Sequence, residues 1–545
     1  MAALIVVAGA LVYGNSLSAP FLFDDQNSLI GNTSIRQLSP LSVPLSPPRD
    51  TPVAGRPIVN LSFAVNYAIG GLDPWGYHVV NVGIHVIAAL LLFGVVRRTL
   101  TLPALAPRFG GASSHLALVC ALAWMLHPLQ TESVNYLSQR TESLMGSLYL
   151  ATLYCAIRAR QRRGTRWALA AVAACALGMA SKESMVTAPV IVLLFDRVFV
   201  FTSWREGLRE RGRLYAGLAS TWVVLAALMA STPRTSVGFS AGTSPVTYLL
   251  NQFQMIAQYL WLAIWPRALV LDYGVPQPLA FADVAPQAAL VVGLGLATIA
   301  ALALRPAAGF LGAWFFITLA PTTSFVPIAT EVGAERRMYL PLAGLVVLAV
   351  VGCYAFACGA GLVRPAGASP AGLAPHAKRS WIPAIAALCV CLLLAAGTVI
   401  RNREYSSRLS IARTIVDRWP NGRGHFLLGA ELLEAGQRAE GMGQLRASAR
   451  DYPGARYALG TELLAEGKLD ESIDQLQAFI RALPDHANVA PARDMLGRAY
   501  VAQRRLDLAE EQLDLLLRAH PDYPLREQVR ALLLQIRNAR RGFPG

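Results

Sequence analysis

Charge is scarce in this sequence: only 15% of its 545 residues are charged, while 54% are hydrophobic and mean hydropathy is +0.43. A chain so apolar cannot hide its hydrophobic residues in one water-soluble core, which excludes an ordinary soluble domain and predicts a polytopic membrane protein. Lysine is scarcer still, with three among the 48 basic residues. The arginines behind the net charge of +15 stand in short clusters between apolar runs. That spacing offers no continuous basic face for a polyanion, so nucleic acid is excluded as a partner. The seven cysteines, Cys120, Cys155, Cys175, Cys353, Cys358, Cys389 and Cys391, fall almost entirely inside apolar runs, with no histidine at metal-ligand spacing. They read as small buried hydrophobes. A basic n-region is also missing from the first apolar run, and Leu17-Ser18-Ala19 only weakly resembles a cleavage site, so that run is expected to stay as an anchor.

Apolar runs occupy residues 1–17, 78–96, 115–128, 143–157, 167–180, 185–201, 214–231, 247–266, 285–303, 309–321, 339–363 and 382–400. Several are shorter than the roughly 20 residues of an upright span. Arg97, Arg98 and Arg108, then Arg158, Arg160, Arg162, Arg163 and Arg166, then Arg197, Arg205, Arg209, Arg211 and Arg213 follow alternate runs. Such arginine-rich loops are cytoplasmic, which turns 18–77, 128–142 and 181–184 outward. Arg364, Lys378 and Arg379 mark 364–381 as cytoplasmic too. Counting every run as a crossing would contradict this, so one run must not cross. The best candidate is 247–266, where Asn251, Gln252, Gln254 and Gln258 suit a re-entrant or interfacial helix. About eleven crossings remain, with the C-terminal region outside.

After residue 401 the sequence becomes soluble and helical. Leu428-Gly429, Leu459-Gly460 and Leu496-Gly497 recur, with Leu432, Leu463 and Tyr500 three residues after each glycine and Pro453, Pro484 and Pro521 closing each unit. This is the tetratricopeptide pattern. It predicts a membrane domain at 1–401 and a repeat α-solenoid at 402–545. The units fall at about 422–452, 453–487 and 490–521, with a capping helix at 525–539.

The outward loops gather the polar chemistry. APFLFDDQNSLIGN, residues 19–32, brings Asp24 and Asp25 to the membrane boundary, and the same loop carries Arg56 and leads to His78, Asn81 and His85 at helical spacing. The next holds His127, Glu132, Arg140 and Glu142; the third, Lys182 and Glu183; the late one, Glu335, Arg336, Arg337 and Tyr339. Each alone reads more readily as a satisfied interfacial group, a surface ion pair or, for Asp24-Asp25, a turn opener. Together on one side they suit a lipid-linked substrate: guanidinium forks clamp a phosphate leaving group and a carboxylate deprotonates a hydroxyl. Asp24, Asp25, His127 and Glu132 also leave a divalent-cation site open, though no spacing demands one.

In order, FDDQNSLIGN, RPIVNLSFAVNYAIGGLDPWGYHVVNVGIH, HPLQTESVNYLSQRTESL, SKESMVTAPVIVLLFD, ERRMYLPLAG and the repeats resemble the transmembrane and tetratricopeptide-repeat O-mannosyltransferases, of the GT-C superfamily. The likeness is dense over 20–196 and 335–344 and thin between 214 and 320. It implies an inverting membrane transferase carrying a sugar, mannose in that family, from a polyprenyl-phosphate donor to a hydroxyl of an extracytoplasmic acceptor such as protein Ser or Thr. It also implies that the acidic pair, here Asp24 and Asp25, is catalytic. Arg56, His78, His127, Glu132, Arg140, Lys182, Glu183, Arg336, Arg337 and Tyr339 are then the candidates for binding substrate or lipid phosphate. Scarce lysine and a short repeat array suggest a bacterial member in the cytoplasmic membrane, with sugar and acceptor open. A membrane-anchored repeat scaffold for envelope assembly and a lipid-linked sugar transporter are the alternatives.

This topology predicts that cysteines introduced at residues 110 and 430 label from opposite sides of the membrane. Labelling of both from one side would overturn the parity argument and the re-entrant reading of 247–266 together.

Overall fold

The computed structural model describes residues 1–49, 51–160, 164–232, 238–239, 242–359 and 382–540. Arg162, Arg163, Arg364, Lys378 and Arg379, used above for sidedness, lie outside them. Helices, and no β-strand, occur among the described residues, and the chain forms two compact units, Met1–Ile411 and Ala412–Gly545.

The first unit is built from α1 (Ala2–Tyr13), α2 (Pro57–Gly70), α3 (Pro74–Leu100), α4 (Ala106–Phe109), α5 (Ser113–Met125), α6 (Thr131–Asn135), α7 (Arg140–Arg158), α8 (Gly164–Met179), α9 (Ala188–Phe199), α10 (Trp204–Ser231), α11 (Pro245–Ile264), α12 (Phe281–Leu304), α13 (Pro306–Leu319), α14 (Pro341–Gly359) and α15 (Ile382–Glu404). Helix starts follow local chemistry. Asp73 accepts the Trp75 N–H at 3.0 Å and Ser244 the Thr247 N–H at 3.0 Å, each before a proline at the first helical position.

Five helices, α3, α10, α12, α14 and α15, are long and apolar enough to cross a bilayer, so the chain is a multi-pass membrane protein. A sixth span arises if the pair Ala106–Met125 and Pro128–Asn135, bent by 57°, counts as one. Length and composition thus give fewer spans than the eleven expected. The remaining runs include the shorter apolar segments Ala2–Ser16, Gly164–Met179 and Pro306–Leu319, while α7 opens on the buried polar Arg140, Thr141 and Glu142. The 247–266 run forms α11, which does not meet the spanning criterion either.

Polar ties join distant parts of this unit. Asn402 donates to the Val12 carbonyl at 2.9 Å and to Asn15 at 2.8 Å, and accepts from Asn135 at 2.8 Å. Residues 402–411 therefore pack with the membrane helices, and the division between units falls ten residues after the composition change. At the other ends of the helices, a break in α10 at Arg211 (φ −130°) lets its guanidinium grip buried Asp196 of α9 at 2.7 and 2.6 Å.

The second unit pairs α16 (Arg408–Arg418, which straddles the division), then α17 (Gly422–Glu434) with α18 (Arg438–Asp451), α19 (Ala455–Ala465) with α20 (Leu469–Ala482), and α21 (Val489–Ala502) with α22 (Leu506–Ala519), before α23 (Arg526–Arg540). Gly429, Gly460 and Gly497 each let the partner helix approach: a Cβ at Gly460 would stand 2.8 Å from Leu476, and one at Gly497 2.5 Å from Leu513. The turns inside the first two pairs use Gly436 at φ 76° and Gly467 at φ 73°, whereas the third forces Arg504 to φ 58°.

Left-handed backbone costs a residue with a Cβ roughly 1–2 kcal/mol, part of which glycine gives back in chain entropy. Arg504→Gly is therefore expected to stabilise α21–α22 by about 0.5–1 kcal/mol and Gly467→Ala to destabilise α19–α20 by about 1 kcal/mol. Amide hydrogen exchange of each pair reads both, and slower exchange in neither variant would refute the strain at Arg504.

Candidate active site

The acidic pair is divided by its own backbone. Phe23, at φ 27°, turns the chain so that neighbouring carboxyls point apart. Asp25 is buried: one oxygen accepts the Leu22 N–H at 2.9 Å and the other the Ser138 N–H at 2.7 Å. Burial pushes its pKa up to about 7 against the lowering effect of those N–H bonds. Asp25 is thus a clasp between the first loop and the 137–139 turn. Asp24 is exposed, with its backbone N–H on the Tyr136 hydroxyl at 2.8 Å, and its side chain borders a cavity of about 830 Å³.

That cavity is rimmed by five cationic side chains, Arg49, Arg56, Lys182, Arg336 and Arg337, and by three carboxylates, Asp24, Glu183 and Glu331. A short helical turn, Glu335–Met338, delivers the paired arginines immediately before α14. Arg336 gives its backbone N–H to Glu132 at 2.8 Å, and its guanidinium contacts Glu132 and spans Glu331 at 2.7 and 2.6 Å. Burial opposes that charge, but Glu331, Glu132 and, further off, Asp24 outweigh it and hold the Arg336 pKa well above its usual range. Arg337 donates to the Tyr248 hydroxyl at 3.2 Å and the carbonyls of Thr322, Val332 and Glu331 at 3.0–3.2 Å. Lys182 contacts buried Glu142, and Arg56 reaches Glu183 at 3.1 Å. Behind the turn, Glu335 accepts from the Val270 N–H at 2.5 Å and the Tyr273 hydroxyl at 3.2 Å, with burial pushing its pKa up to about 8.

Of the sequence candidates, Asp24, Arg56, Lys182, Glu183, Arg336 and Arg337 border one cavity. Asp25, His78, His127, Glu132, Arg140 and Tyr339 do not. His78 donates to the Ala19 carbonyl at 3.0 Å, and His127 to the Ala263 carbonyl at 3.1 Å while accepting the Leu129 N–H at 3.2 Å. The Tyr339 hydroxyl bonds His85 Nδ1 at 2.9 Å. Arg140 binds Asn81 and Asn66 at 2.6 Å and the Tyr77 carbonyl at 3.0 Å, with its guanidinium 4.5 Å from the Phe63 ring. Arg140 thus holds α2, α3 and α7 together, while His78 ties α3 to the first loop, His127 reaches α11, and Tyr339 joins the start of α14 to α3. Glu132 reaches the cavity through Arg336, which it holds by both backbone N–H and guanidinium. Arg49 and Glu331 were not singled out from the sequence. Glu331 is signalled by its place five residues before Arg336, whereas nothing in the proline-rich 44–49 segment marks Arg49.

No group of three or more His, Cys, Asp or Glu side chains that could hold a metal occurs among the described residues.

Residues 50–230 match the family model described as dolichyl-phosphate-mannose-protein mannosyltransferase. The chain is 28% identical over 298 residues to Protein O-mannosyl-transferase tmtc2 of Xenopus laevis, covering 49% of this chain and 34% of that protein. It is 24% identical over 498 residues to human Protein O-mannosyl-transferase TMTC4, covering 80% of this chain and 64% of the relative. The matched segment thus spans about a third of the first of these and under two thirds of the second. Among solved structures, ArnT from Cupriavidus metallidurans bound to undecaprenyl phosphate aligns over 79% of each chain at 16% identity with a TM-score of 0.41. The resemblance carried by the motifs is therefore matched by sequence similarity to O-mannosyl-transferases.

The division of the acidic pair predicts two different defects. Asp25→Asn sets an amide NH2 against a backbone N–H donor and should cost about 1–3 kcal/mol, lowering the amount of folded protein. Asp24→Asn should leave it unchanged. Thermal unfolding of the two purified variants separates these outcomes, and equal stability of both would refute the clasp.

Proposed function

We propose that this chain is an inverting, GT-C-type membrane glycosyltransferase that moves a sugar from a polyprenyl-phosphate carrier to a hydroxyl of an acceptor, with Asp24 as general base. The observation that carries this reading is one exposed carboxylate on a cavity whose rim is otherwise mainly cationic; Arg56, Lys182 and Glu183 of that rim lie within the 50–230 segment that matches the mannosyltransferase family model, and Asp24, Arg49, Glu331, Arg336 and Arg337 lie outside it. Arg49, Arg56, Lys182 and Arg336 supply positive charge for a lipid phosphate. The acceptor oxygen attacks the anomeric carbon opposite the phosphate as its proton passes to Asp24. The carbon–oxygen bond to phosphate breaks, and its electron pair leaves on the phosphate, so one displacement inverts the centre. Asp25 positions this machinery through the 137–139 turn.

The helix pairs of the second unit support a tetratricopeptide solenoid that binds acceptor protein or peptide. In this reading the first loop and the repeats face the extracytoplasmic side of a bacterial cytoplasmic membrane.

A hydroxyl is a poor nucleophile, and a positioned base typically contributes about 10² to 10⁴ in rate, or roughly 3–5 kcal/mol. With polyprenyl-phosphate hexose as donor, Asp24→Asn should lose transfer by that factor while still binding donor. Removing 421–545 should spare donor binding and abolish transfer to large acceptors. Transfer at the parental rate by Asp24→Asn, made in normal amount, would remove Asp24 from this role; undiminished glycosylation of all acceptors without the repeats would remove the repeats from theirs.

A further inference from the structure

A second cavity, of about 460 Å³, lies among α3, α7, α9, α13 and α14 and shares no lining residue with the first. Along the chain leading into α14, the first cavity is bordered at Arg337 and the second from Ala343 to Ala355, with the Arg108 rim at the Ala355 end. At 1.5 Å per helical residue the near end of the second cavity lies about 9 Å from Arg337 along that axis, and its arginine rim at Ala355 about 27 Å. Leu92, Leu153, Phe195, Phe310 and Trp314 make its wall apolar. Its polar rim consists of Arg108 and Arg305, both exposed, with Thr99, and no acidic residue occurs among its described lining. One Arg108 nitrogen donates to the Ala355 carbonyl at 3.0 Å, which fixes this guanidinium at the edge of the cavity.

Wall and rim select opposite ends of one molecule. The wall excludes polar ligands, because desolvating a polar group without a partner is costly. Two cations without a carboxylate select an anion. At roughly 30 Å³ per water-sized group, the volume holds about fifteen such groups, the size of one acyl chain. We propose that this cavity is a binding site for an anionic glycerophospholipid, with one acyl chain between α3, α9 and α13 and its phosphate on Arg108 and Arg305. The polyprenyl donor does not fit this role: in the function proposed above its phosphate must reach the Asp24 cavity, about 27 Å along the helix axis from the Arg108 rim.

Gly352 lines the cavity, and a Cβ there meets no heavy atom within 4 Å, so Gly352→Leu brings apolar bulk to open space at the cavity lining. The test purifies the full chain from micelles containing equal phosphatidylglycerol and phosphatidylcholine and reads retained lipid by native mass spectrometry. Phosphatidylglycerol should be retained roughly thirtyfold over phosphatidylcholine, about 1 kcal/mol for each arginine. Arg108→Gln with Arg305→Gln should bring the two lipids near parity, and Gly352→Leu should displace the retained lipid. Because all three positions are open to solvent or space, these variants should fold. Equal retention of both lipids by the parent, an anionic preference that survives loss of both arginines, retention undiminished by Gly352→Leu, or recovery of an isoprenoid phosphate instead would each overturn the proposal.

Discussion

A charge taken out of water must find a partner, and near a membrane few are on offer. The polar loops of the first unit are organised by that constraint. Glu132 and Glu331 hold Arg336, Glu142 holds Lys182, and Glu183 holds Arg56. All but the Glu331–Arg336 pair link segments far apart in sequence, so satisfying the charges also assembles the cavity. Asp25 achieves the same end with backbone N–H groups. The arginines at the cavity are consequently preorganised, since their carboxylate partners fix them before any phosphate arrives.

Much of this was legible in the sequence because apolar length and glycine spacing are local signals. The long runs ending at residues 96, 231, 303 and 400 correspond to α3, α10, α12 and α15, and the Leu-Gly recurrence marks the close helix contacts of the second unit. The acidic pair was legible as a feature but not in its division. Adjacency cannot tell which carboxyl turns inward, because that depends on the unusual backbone at Phe23 and on Ser138, more than a hundred residues later. Polar residues in or beside apolar helices misled for a related reason. His78 and His127 look like ligands until their partners, the carbonyls of Ala19 and Ala263, are known. A backbone carbonyl leaves no trace in composition. Arg140 likewise stands out as a lone buried cation, yet asparagines, a carbonyl and a phenyl face satisfy it.

The two units reach order by different physics. In the first, apolar surface facing lipid is gained cheaply and specificity comes from polar ties, such as Asp196 with Arg211 at one end of the bundle and Glu142 with Lys182 at the other. In the second, water drives the packing and specificity comes from shape, with glycine opposite leucine in successive pairs. A polar-to-apolar change should therefore be felt most in the first unit, and a small-to-large change most in the second.

The bond from Asn402 to the Val12 carbonyl joins residues 390 apart. At roughly 5–20 residues per second of synthesis, the first helix waits about 20–80 s for this partner. Through that interval Asn15 and the Val12 carbonyl remain without Asn402, and the Asn135 amide that also needs it is unclasped. The last membrane helix is therefore the keystone laid at the end of construction. A ribosome that stalls before residue 402 leaves a bundle whose ends have not met, exposing its polar seams to whatever quality control patrols the membrane.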